Sequence, residues 1–404
     1  MDNRVVIVGA GHAAGQAVAS LRQKKFDGVV TLIGEEEHYP YQRPPLSKKF
    51  LAGEMQAERL YFKPPSFYDL PGVVVHLNTH VERIDPTANA VYDSAGTLYE
   101  YDSLIIATGA RVRSLNAPGS DLKGVHYLRS INDVIGMQRD MHENANLTII
   151  GAGYIGLEVA AVARQKGLNV TVVEMADRVM SRVVSAQMSE FYQAEHRRHG
   201  VRLLLSANLI KLSGNDAVQT VDLTDGTSVD ADMVLIGIGV VPNVELAEAA
   251  GLAVGNGIRV NDHCQTTVPN IYAIGDCTNH PNQLLGRQLR LESVHNALEQ
   301  AKTAAANICG DDTSYAEVPW FWSDQYDLKL QIAGISQGYD RTVLRGDPSE
   351  RAFSCLYLRE GQLIAIDSIN SAKDFMQSKA LIASRAVISP DTLANADIAL
   401  KDMA

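Results

Sequence analysis

The chain has 404 residues and a formal net charge of −11, and 46% of its residues are hydrophobic. This length exceeds what one hydrophobic core organises and indicates two or three domains. No apolar run approaches the roughly 18 residues that a membrane helix needs, and the acidic balance disfavours nucleic acid as a partner. The composition therefore predicts a globular cytoplasmic protein with no membrane or nucleic-acid partner.

The first element is an apolar run, Val5–Val8, that ends in Gly9-Ala10-Gly11 and leads into a helix-like stretch. This order of strand, glycines and helix is the context in which a glycine-rich turn binds a dinucleotide. Gly9 makes the tight turn, and Gly11 lets the backbone approach a pyrophosphate that rests on helix N–H groups. The predicted contacts of this turn are Gly9, Gly11, His12, Ala13 and Ala14, with His12 interpreted as a packed, neutral histidine.

The next apolar run ends at an acidic residue, Glu35, which lies 26 residues beyond Gly9. A carboxylate at this point accepts hydrogen bonds from ribose hydroxyls and would repel a 2′-phosphate. Glu35 is therefore the predicted ribose partner of the first nucleotide.

A second fingerprint repeats the pattern 142 residues later, and Glu174 ends the apolar run that follows it. Because Glu174 would repel a 2′-phosphate, the second site is predicted to prefer NADH over NADPH, a preference that Arg178 and Arg182 would soften. Two dinucleotides in one chain suggest electron transfer between them, and two doubly wound units without a ligand are the ordinary alternative. The predicted contacts of the second fingerprint are Gly151, Gly153, Tyr154, Ile155, Gly156 and Glu174.

Closing strands and a change of pattern define the domains. Apolar strands at 101–110 and 232–239 close the two units, and a strand at 270–276 is expected to return to the first domain. From Trp320 onward the pattern predicts the strands Lys329–Ile335, Arg341–Gly346, Ala352–Leu358 and Gln362–Ile369, followed by a helix over Ala372–Ala386.

The predicted fold class is α/β, with two Rossmann-like dinucleotide-binding domains and a C-terminal α+β domain. The predicted bounds are 1–110 with 246–319 for the first domain, 111–245 for the second and 320–404 for the third.

The four cysteines, Cys264, Cys277, Cys309 and Cys355, are too far apart in sequence for a CxxC or CxxxxC pair. Metal-ligand spacing is absent, so no metal site is predicted. Free thiols in a reducing compartment are the expected state.

Several segments together identify a family resemblance: Tyr41–Lys48, Ala107–Gly109, Gly153–Glu158, Ile274–Cys277 and Pro319–Tyr326. The whole chain resembles the FAD-dependent, NADH-linked ferredoxin reductases that serve bacterial oxygenases, which share the fold of glutathione reductase. The resemblance implies that FAD occupies the first site and NADH the second.

The resemblance also assigns further cofactor contacts. Asp276 would bind the ribityl or pyrophosphate region of FAD, and Trp322 is expected to contact the flavin. Tyr154 would be an aromatic lid over the nicotinamide site, although packing without gating is an equal alternative. The remaining implied cofactor contacts are Arg43, Lys48, Val81, Ala107, Thr108, Gly109, Arg129, Arg182, Gly239, Gly275 and Val294.

Two charged residues carry the implied catalytic roles. In the resembled family a lysine and a glutamate at the positions of Lys48 and Glu158 pair next to flavin N5 and orient the nicotinamide. Ser47, after two prolines, is expected to cap the start of a helix that carries Lys48. Taken singly, Lys48 is more simply interpreted as a surface lysine and Glu158 as a structural ion-pair partner, and the motif context reverses this preference.

Residues 38–60 contain no cysteine, whereas disulfide reductases of this fold place a CxxxxC pair in that region. Electrons are therefore expected to leave the flavin directly for an acidic two-iron two-sulfur ferredoxin, and so to reach an oxygenase. An acidic partner predicts a locally basic docking face, for which Lys302, Lys329 and Arg345 are candidates. Gln331 replaces a basic residue of that family.

Two other functions share the same flavin site. One is an NADH oxidase or a quinone or monodehydroascorbate reductase, which differs in its acceptor. The other is an NADH-sensing, redox-responsive binding protein that resembles apoptosis-inducing factor.

Overall fold

This computed structural model describes residues 3–403, which contain both helices and strands. The α-helices are α1 (His12–Gln23), α2 (Pro65–Tyr68), α3 (Ile131–Asp140), α4 (Tyr154–Gln165), α5 (Ala186–Arg198), α6 (Glu245–Ala249), α7 (Val294–Ile308), α8 (Ala372–Ala383) and α9 (Pro390–Ala394). Short 3₁₀ turns occupy Pro44–Ser47, Ala57–Leu60, Gly275–Cys277, Pro348–Glu350 and Leu400–Asp402.

The strands fall into three stretches of the chain. Up to the second fingerprint they are β1 (Asn3–Val8), β2 (Gly28–Ile33), β3 (Val73–His76), β4 (Val81–Asp85), β5 (Ala90–Asp93), β6 (Leu98–Glu100), β7 (Ser103–Ile106), β8 (Ala110–Val112) and β9 (Val125–His126). In the middle they are β10 (Asn146–Ile150), β11 (Asn169–Val173), β12 (Arg202–Leu204), β13 (Leu209–Gly214), β14 (Val218–Leu223), β15 (Ser228–Asp230), β16 (Met233–Ile236), β17 (Val240–Pro242), β18 (Val254–Gly255), β19 (Gly257–Arg259), β20 (Ile271–Ala273), β21 (Thr278–Asn282) and β22 (Arg287–Leu289). In the last stretch they are β23 (Trp320–Gln325), β24 (Leu328–Gly334), β25 (Arg341–Asp347), β26 (Ala352–Arg359) and β27 (Gln362–Ile369).

These elements form two compact units that interleave along the chain. Unit 1 comprises Met1–Arg43, Ala57–Arg111 and Val240–Glu317. Unit 2 comprises Pro44–Gln56, Val112–Gly239 and Val318–Ala404. The three-domain division from the sequence is a different partition of the chain and stays a prediction.

Unit 1 is built on a parallel sheet with the order β20-β7-β1-β2-β3. Strand β20 pairs with β7, so the predicted return of this segment to the first sheet is confirmed. Alternate residues of β1 face two separate hydrophobic clusters, Val5 and Ile7 on one side and Val6 and Val8 on the other. A strand buried on both faces explains the continuous apolar run that opens the sequence.

Unit 2 repeats this topology with a parallel sheet of order β12-β11-β10-β16-β9. In each unit a small antiparallel sheet, β4-β5-β6 or β13-β14-β15, precedes the strand that closes the parallel sheet. The internal duplication that the two fingerprints indicate is therefore present in the strand order, and the predicted α/β class is confirmed.

The last part of unit 2 is an antiparallel sheet with the order β23-β24-β27-β26-β25, on which α8 packs against β24 and β27. The four predicted strands of this region are confirmed, with ends that differ by at most one residue. The predicted helix ends earlier, at Ala383. Arg385 adopts a left-handed conformation (φ 51°) and the N–H of Ala386 bonds to the carbonyl of Leu381, which closes the helix in the manner of a Schellman motif.

Glycine is required where each fingerprint strand ends. A Cβ atom on Gly9 would lie 2.3 Å from the carbonyl oxygen of Ala107, and one on Gly151 would lie 2.4 Å from that of Gly237. Both glycines also have φ above 100°, which side chains rarely adopt. Helix α4 then packs closely on the same turn, because a Cβ on Gly156 would lie 2.4 Å from the oxygen of Gly151.

We expect Gly156→Ala to destabilise the protein by about 1–3 kcal/mol, because the new methyl group overlaps a backbone oxygen that cannot move aside. Gly153→Ala in the same loop is the matched control, since a Cβ there would meet no atom within 4 Å. The thermal unfolding midpoints of both variants, measured without nucleotide, test this expectation. Equal midpoints for Gly156→Ala and the unsubstituted protein would contradict it.

Candidate nucleotide and electron-transfer sites

The first glycine loop leaves a helix N-terminus open in unit 1. Gly11 is the N-cap of α1 and supplies no side-chain hydrogen bond to the first N–H groups of the helix. A Cβ on Gly11 would meet no atom within 4 Å, so the space in front of these donors is free. Uncapped N–H groups at the positive end of a helix dipole fit a pyrophosphate.

His12, in this loop, is packed and neutral. The His12 ring meets Phe62 edge to face, with ring centroids 5.7 Å apart. Burial, assisted by the charge of Arg43, lowers the pKa of His12 to about 4, so this histidine is neutral at physiological pH. A Cβ on Gly275 would lie 3.1 Å from that of Ala13, which places the Gly275-Asp276 turn beside the start of α1.

The strand that closes the first sheet is fixed at its end by an asparagine. The hydroxyl of Thr108 donates to the carbonyl of Asn243 at 2.8 Å, and the Asn243 amide donates to the carbonyl of Thr108 at 2.9 Å. Asn243 also receives Arg111 on its side-chain oxygen at 2.8 Å. Sequence reasoning did not select Asn243, because nothing in its surroundings resembles a nucleotide motif.

The predicted ribose carboxylate of the first site is accessible. Glu35 follows β2, its side chain is 77% exposed, and its carboxylate lies 3.2 Å from His80 Nδ1. Arg43 instead pairs with Glu36 at 2.7 Å. Val81 begins β4 and Val294 begins α7. The contacts predicted between these residues and FAD stay predictions.

The second glycine loop has the same open geometry in unit 2. Gly153 is the N-cap of α4, again without a side-chain hydrogen bond, and a Cβ on it would meet no atom. The carboxylate of Glu174 accepts the N–H of Ala152 at 2.7 Å and that of Ala176 at 2.8 Å. The predicted ribose acceptor is therefore oriented at the glycine loop.

The two arginines after Glu174 differ in their surroundings. The Arg178 guanidinium donates to the carbonyl of Val184 at 2.9 Å and to the hydroxyl of Ser189 at 2.6 Å. Arg182 is exposed and lies near Gly239, where a Cβ would be 3.8 Å from one of its nitrogens. Arg178 is thus committed to the protein interior, and Arg182 is the better placed of the two to meet a nucleotide phosphate.

Lys48 and Glu158, the predicted catalytic pair, form a buried ion pair within unit 2. Lys48 Nζ lies 2.6 Å from Glu158 Oε2, and the side-chain exposures are 17% and 4%. The Ser47 hydroxyl donates to the same carboxylate oxygen, and the Ser323 hydroxyl donates to Oε1 at 2.6 Å. Three donors from two segments that are distant in sequence from α4 therefore converge on one carboxylate.

The expectation that Ser47 caps a helix is wrong. Residues 44–47 form a single 3₁₀ turn with no α-helix after it, and the hydroxyl of Ser47 is used on Glu158. The proline pair sets the turn, because proline fixes φ near −65°.

Strand β23 presents two different faces. The ring of Phe321 lies 4.8 Å from that of Tyr154, the first residue of α4. Trp320 and Trp322 point to the other face, with ring centroids 5.4 Å apart, and Lys379 lies 4.8 Å over the ring of Trp320. The lid role of Tyr154 and the flavin contact of Trp322 stay predictions.

The remaining predicted contacts occupy loops and helix starts of unit 2. The N–H of Arg129 bonds to Asp133 at 2.9 Å, next to the capping box of α3. Ile155 is 41% exposed at the start of α4, and Gly239 has a φ of 100°.

One docking candidate is wrong. Arg345 is buried, with 4% exposure, because its guanidinium pairs with Asp374 and donates to backbone carbonyls of the C-terminal segment, among them those of Leu393 and Ile398. It cannot meet a partner. Lys302 and Lys329 are exposed, Lys302 with Glu299 at 2.6 Å, and both stay candidates.

The cysteines are free thiols, as expected from their spacing. Cys264, Cys277 and Cys355 are buried and Cys309 is half-buried. Burial raises the pKa of all four, to about 12 for Cys355, so they are protonated at neutral pH. Within residues 3–403 no helix is long and apolar enough to span a bilayer.

Comparison with known proteins covers the whole chain. Residues 3–301 match the family model "Pyridine nucleotide-disulphide oxidoreductase", and residues 320–404 match "Reductase C-terminal".

Three similar proteins illustrate the match. The 5,5′-dehydrodivanillate O-demethylase ferredoxin reductase subunit of Sphingobium sp. is 42% identical over 98% of this chain and 97% of its own length. The ferredoxin–NAD(+) reductase component of the anthranilate 1,2-dioxygenase system of Burkholderia cepacia is 39% identical over 98% of each chain. The crystal structure of the covalent putidaredoxin reductase–putidaredoxin complex contains a chain that superposes with a TM-score of 0.97 at 39% identity, over 99% of this chain and 98% of that one.

We expect Glu174→Arg to raise KM for NADH and lower KM for NADPH, since the variant replaces a ribose acceptor by a group that attracts a 2′-phosphate. The kcat/KM for NADH divided by the kcat/KM for NADPH, both measured with ferricyanide as acceptor, should fall by about tenfold or more. Glu190→Arg, on the exposed side of α5, makes the same charge change away from the loop and should leave the ratio as it is. An unchanged ratio in Glu174→Arg would place the ribose elsewhere.

Proposed function

Since the chain belongs to the pyridine nucleotide-disulphide oxidoreductase family and, within it, to the ferredoxin reductases, we propose that it transfers electrons from NADH through FAD to a two-iron two-sulfur ferredoxin that feeds a bacterial oxygenase. The observation that carries this proposal is the pair of glycine-capped helix N-termini, each open in front and each with an acidic residue just beyond the end of the neighbouring strand. Such a pair fits two dinucleotides in one chain.

The residues present fit both nucleotides. In unit 1 the N–H groups at the start of α1 would hold the FAD pyrophosphate, Glu35 would accept the ribose hydroxyls, and Asp276 would be the acceptor beside the same helix. In unit 2 the start of α4 would hold the NADH pyrophosphate and Glu174 would accept its ribose. FAD held here would supply the conversion of an electron pair from NADH into single electrons for a one-electron acceptor.

Lys48 and Glu158 position the nicotinamide. Lys48 follows the 3₁₀ turn and Glu158 lies in the first turns of α4, the helix that receives the NADH pyrophosphate. A nicotinamide bound here has a carboxamide group that can accept from an ammonium and donate to a carboxylate. The buried ion pair offers both, and its fixed geometry holds the ring in one orientation.

The acceptor is proposed from two lines of support. No cysteine pair stands in residues 38–60, and the described thiols are protonated, so a disulfide relay is not supported. Two similar proteins are named as ferredoxin reductase components of oxygenase systems, and a crystallised relative is joined covalently to putidaredoxin. A cytoplasmic location supplies NADH and keeps four thiols reduced.

The test of this function uses the purified protein loaded with FAD, NADH and a panel of small iron–sulfur proteins. We expect reduction of an acidic two-iron two-sulfur ferredoxin that is faster than the reduction of oxygen or of a quinone by the same preparation. Faster turnover with oxygen, a quinone or an organic radical would reject the ferredoxin assignment. Slow reduction of FAD by NADH with a persistent long-wavelength absorbance band would favour the redox-responsive binding protein instead.

We expect Glu158→Gln to slow the reduction of bound FAD by NADH by about tenfold or more, because a neutral amide no longer holds the Lys48 ammonium in place. Stopped-flow absorbance at saturating NADH measures this rate separately from nucleotide binding. Lys48→Met should produce a similar loss, and the double variant should be no slower than either, since both residues act as one unit. Glu190→Gln is the exposed control, and an undiminished rate in Glu158→Gln would remove the pair from the mechanism.

A further inference from the structure

A chain of hydrogen bonds runs from Glu158 through the interior of unit 2 to a tyrosine at a hairpin turn. Ser323 Oγ, which donates to Glu158 Oε1, lies 3.2 Å from Gln325 Nε2. Gln325 Oε1 lies 2.8 Å from His196 Nε2, and His196 Nδ1 lies 3.1 Å from the hydroxyl of Tyr326. Ser323, Gln325 and His196 are each at most 1% exposed.

The strand geometry explains why these side chains meet. Alternate residues of a strand point to one face, so Phe321, Ser323 and Gln325 share the side of β23 that meets Tyr154, Glu158 and His196. Helix α4 contributes the carboxylate and α5 contributes the histidine. Ser323, Gln325 and His196 take no part in the glycine loops or in the contact between Lys48 and Glu158.

The direction of every bond in the chain is fixed. The Glu158 carboxylate accepts, so the Ser323 hydroxyl donates to it and receives the amide of Gln325. The amide oxygen of Gln325 must then face His196, which donates from Nε2. Burial lowers the pKa of His196 to about 4, so its Nδ1 carries no proton at neutral pH and accepts from Tyr326. All four donors therefore point towards the same carboxylate.

Tyr326, the last residue of this series of hydrogen bonds, is held in an uncommon backbone conformation. Tyr326 has a φ of 57° in the two-residue turn between β23 and β24, a region that aromatic residues seldom occupy. Its ring stacks on His199 with centroids 3.7 Å apart and planes 11° apart, which holds the hydroxyl towards His196. A glutamine amide does not readily pass protons, so this arrangement is suited to orienting a group and not to conducting protons.

We propose that His196 and Gln325 are positioning residues for electron transfer from NADH, acting through the Ser323 hydroxyl to fix the orientation of the Glu158 carboxylate. The inference rests on the role of Glu158 in the proposed function and extends it to residues that do not touch the nucleotide. The alternative is that this chain stabilises unit 2 and has no influence on the reaction.

The two alternatives differ in their dependence on pH. A hydrogen bond to a carboxylate favours its charged form, so the Ser323→Ala variant has one fewer contact that stabilises the carboxylate in the ion pair. The ion pair with Lys48, and the rate that depends on it, is then lost earlier as the pH falls. A structural role alone would lower the unfolding temperature and leave the pH profile unchanged.

Other titratable groups near Glu158 must be separated from this effect. Lys48, Tyr154 and Tyr192 face it, and burial raises the pKa of both tyrosines well above 10. Asp367 faces both tyrosines, and burial raises its pKa to about 7, inside the working range. Asp367→Asn therefore serves as the background in which the measurement is repeated.

The experiment measures the rate of FAD reduction at saturating NADH across pH 5–9 for FAD-loaded Ser323→Ala. We expect the acid limb of the profile to move to higher pH by about one unit, in the Asp367→Asn background as well. Ser323→Thr keeps the hydroxyl and should retain the original profile. Ser378→Ala, which removes another fully buried serine hydroxyl of unit 2, should also leave it unchanged.

Variants at His196, the far end of the series of hydrogen bonds, decide whether the Ser323 hydroxyl acts alone. His196→Leu should shift the acid limb of the pH profile in the same direction as Ser323→Ala. His196→Gln should restore the original limb, because it supplies a donor to Gln325. The double variant Ser323→Ala with His196→Leu should shift the limb no further than Ser323→Ala alone. Gln325→Met is a second break in the chain should the leucine variant not fold. Shifts absent from Ser323→Ala and from the His196 and Gln325 variants, while Glu158→Gln still slows the reaction, would overturn this inference alone. An unaffected rate in Glu158→Gln would overturn the role of the pair itself.

Discussion

A carboxylate buried beside an ammonium is the constraint on which much of unit 2 depends. Removing one partner of a buried ion pair leaves the other charge uncompensated, at a cost of about 3–5 kcal/mol. The Lys48–Glu158 pair, 2.6 Å apart, is therefore tolerated only with its other oxygen lone pairs satisfied. The hydroxyls of Ser47 and Ser323 satisfy these lone pairs. Ser47 directly precedes Lys48, and Ser323 lies on β23, the first strand of the C-terminal sheet. The C-terminal sheet is thus part of the charge site.

The two parallel sheets share the same close packing of a glycine turn against a neighbouring strand. Each brings a glycine turn under the carboxyl end of a neighbouring strand, Gly9 below Ala107 in one case and Gly151 below Gly237 in the other. The close approach excludes any side chain at the turn and leaves the helix N-terminus uncapped. In the second copy Glu174 already occupies loop N–H groups, so the acid and the glycines form one local arrangement. The duplicated topology therefore places the same anion-binding geometry in both units.

The sequence predicts what depends on local periodicity and misses what depends on distant contacts. The apolar alternation of the C-terminal strands gave their bounds to within a residue, and the glycine spacing gave both nucleotide loops. Ser323 lies inside a recognised segment, yet its partner is 165 residues away, and no pattern on α5 distinguishes His196 from the histidines on the surface. Arg345 has the composition of a docking residue, and only the fold shows that backbone carbonyls surround it. The two prolines before Ser47 predict a helix cap from neighbouring residues alone, whereas its hydroxyl bonds to Glu158, 111 residues away.

The buried guanidinium of Arg345 connects the C-terminal sheet to residues 393–398. Its guanidinium gathers the carbonyls of Leu393, Asn395, Ala396 and Ile398, so one side chain from β25 fastens the last turn-rich stretch to the sheet. A chain truncated before Leu393 would lose these carbonyls and leave Asp374 as the remaining side-chain partner described for the guanidinium. Residues 393–398 therefore contribute to the stability of unit 2 through this one buried cation.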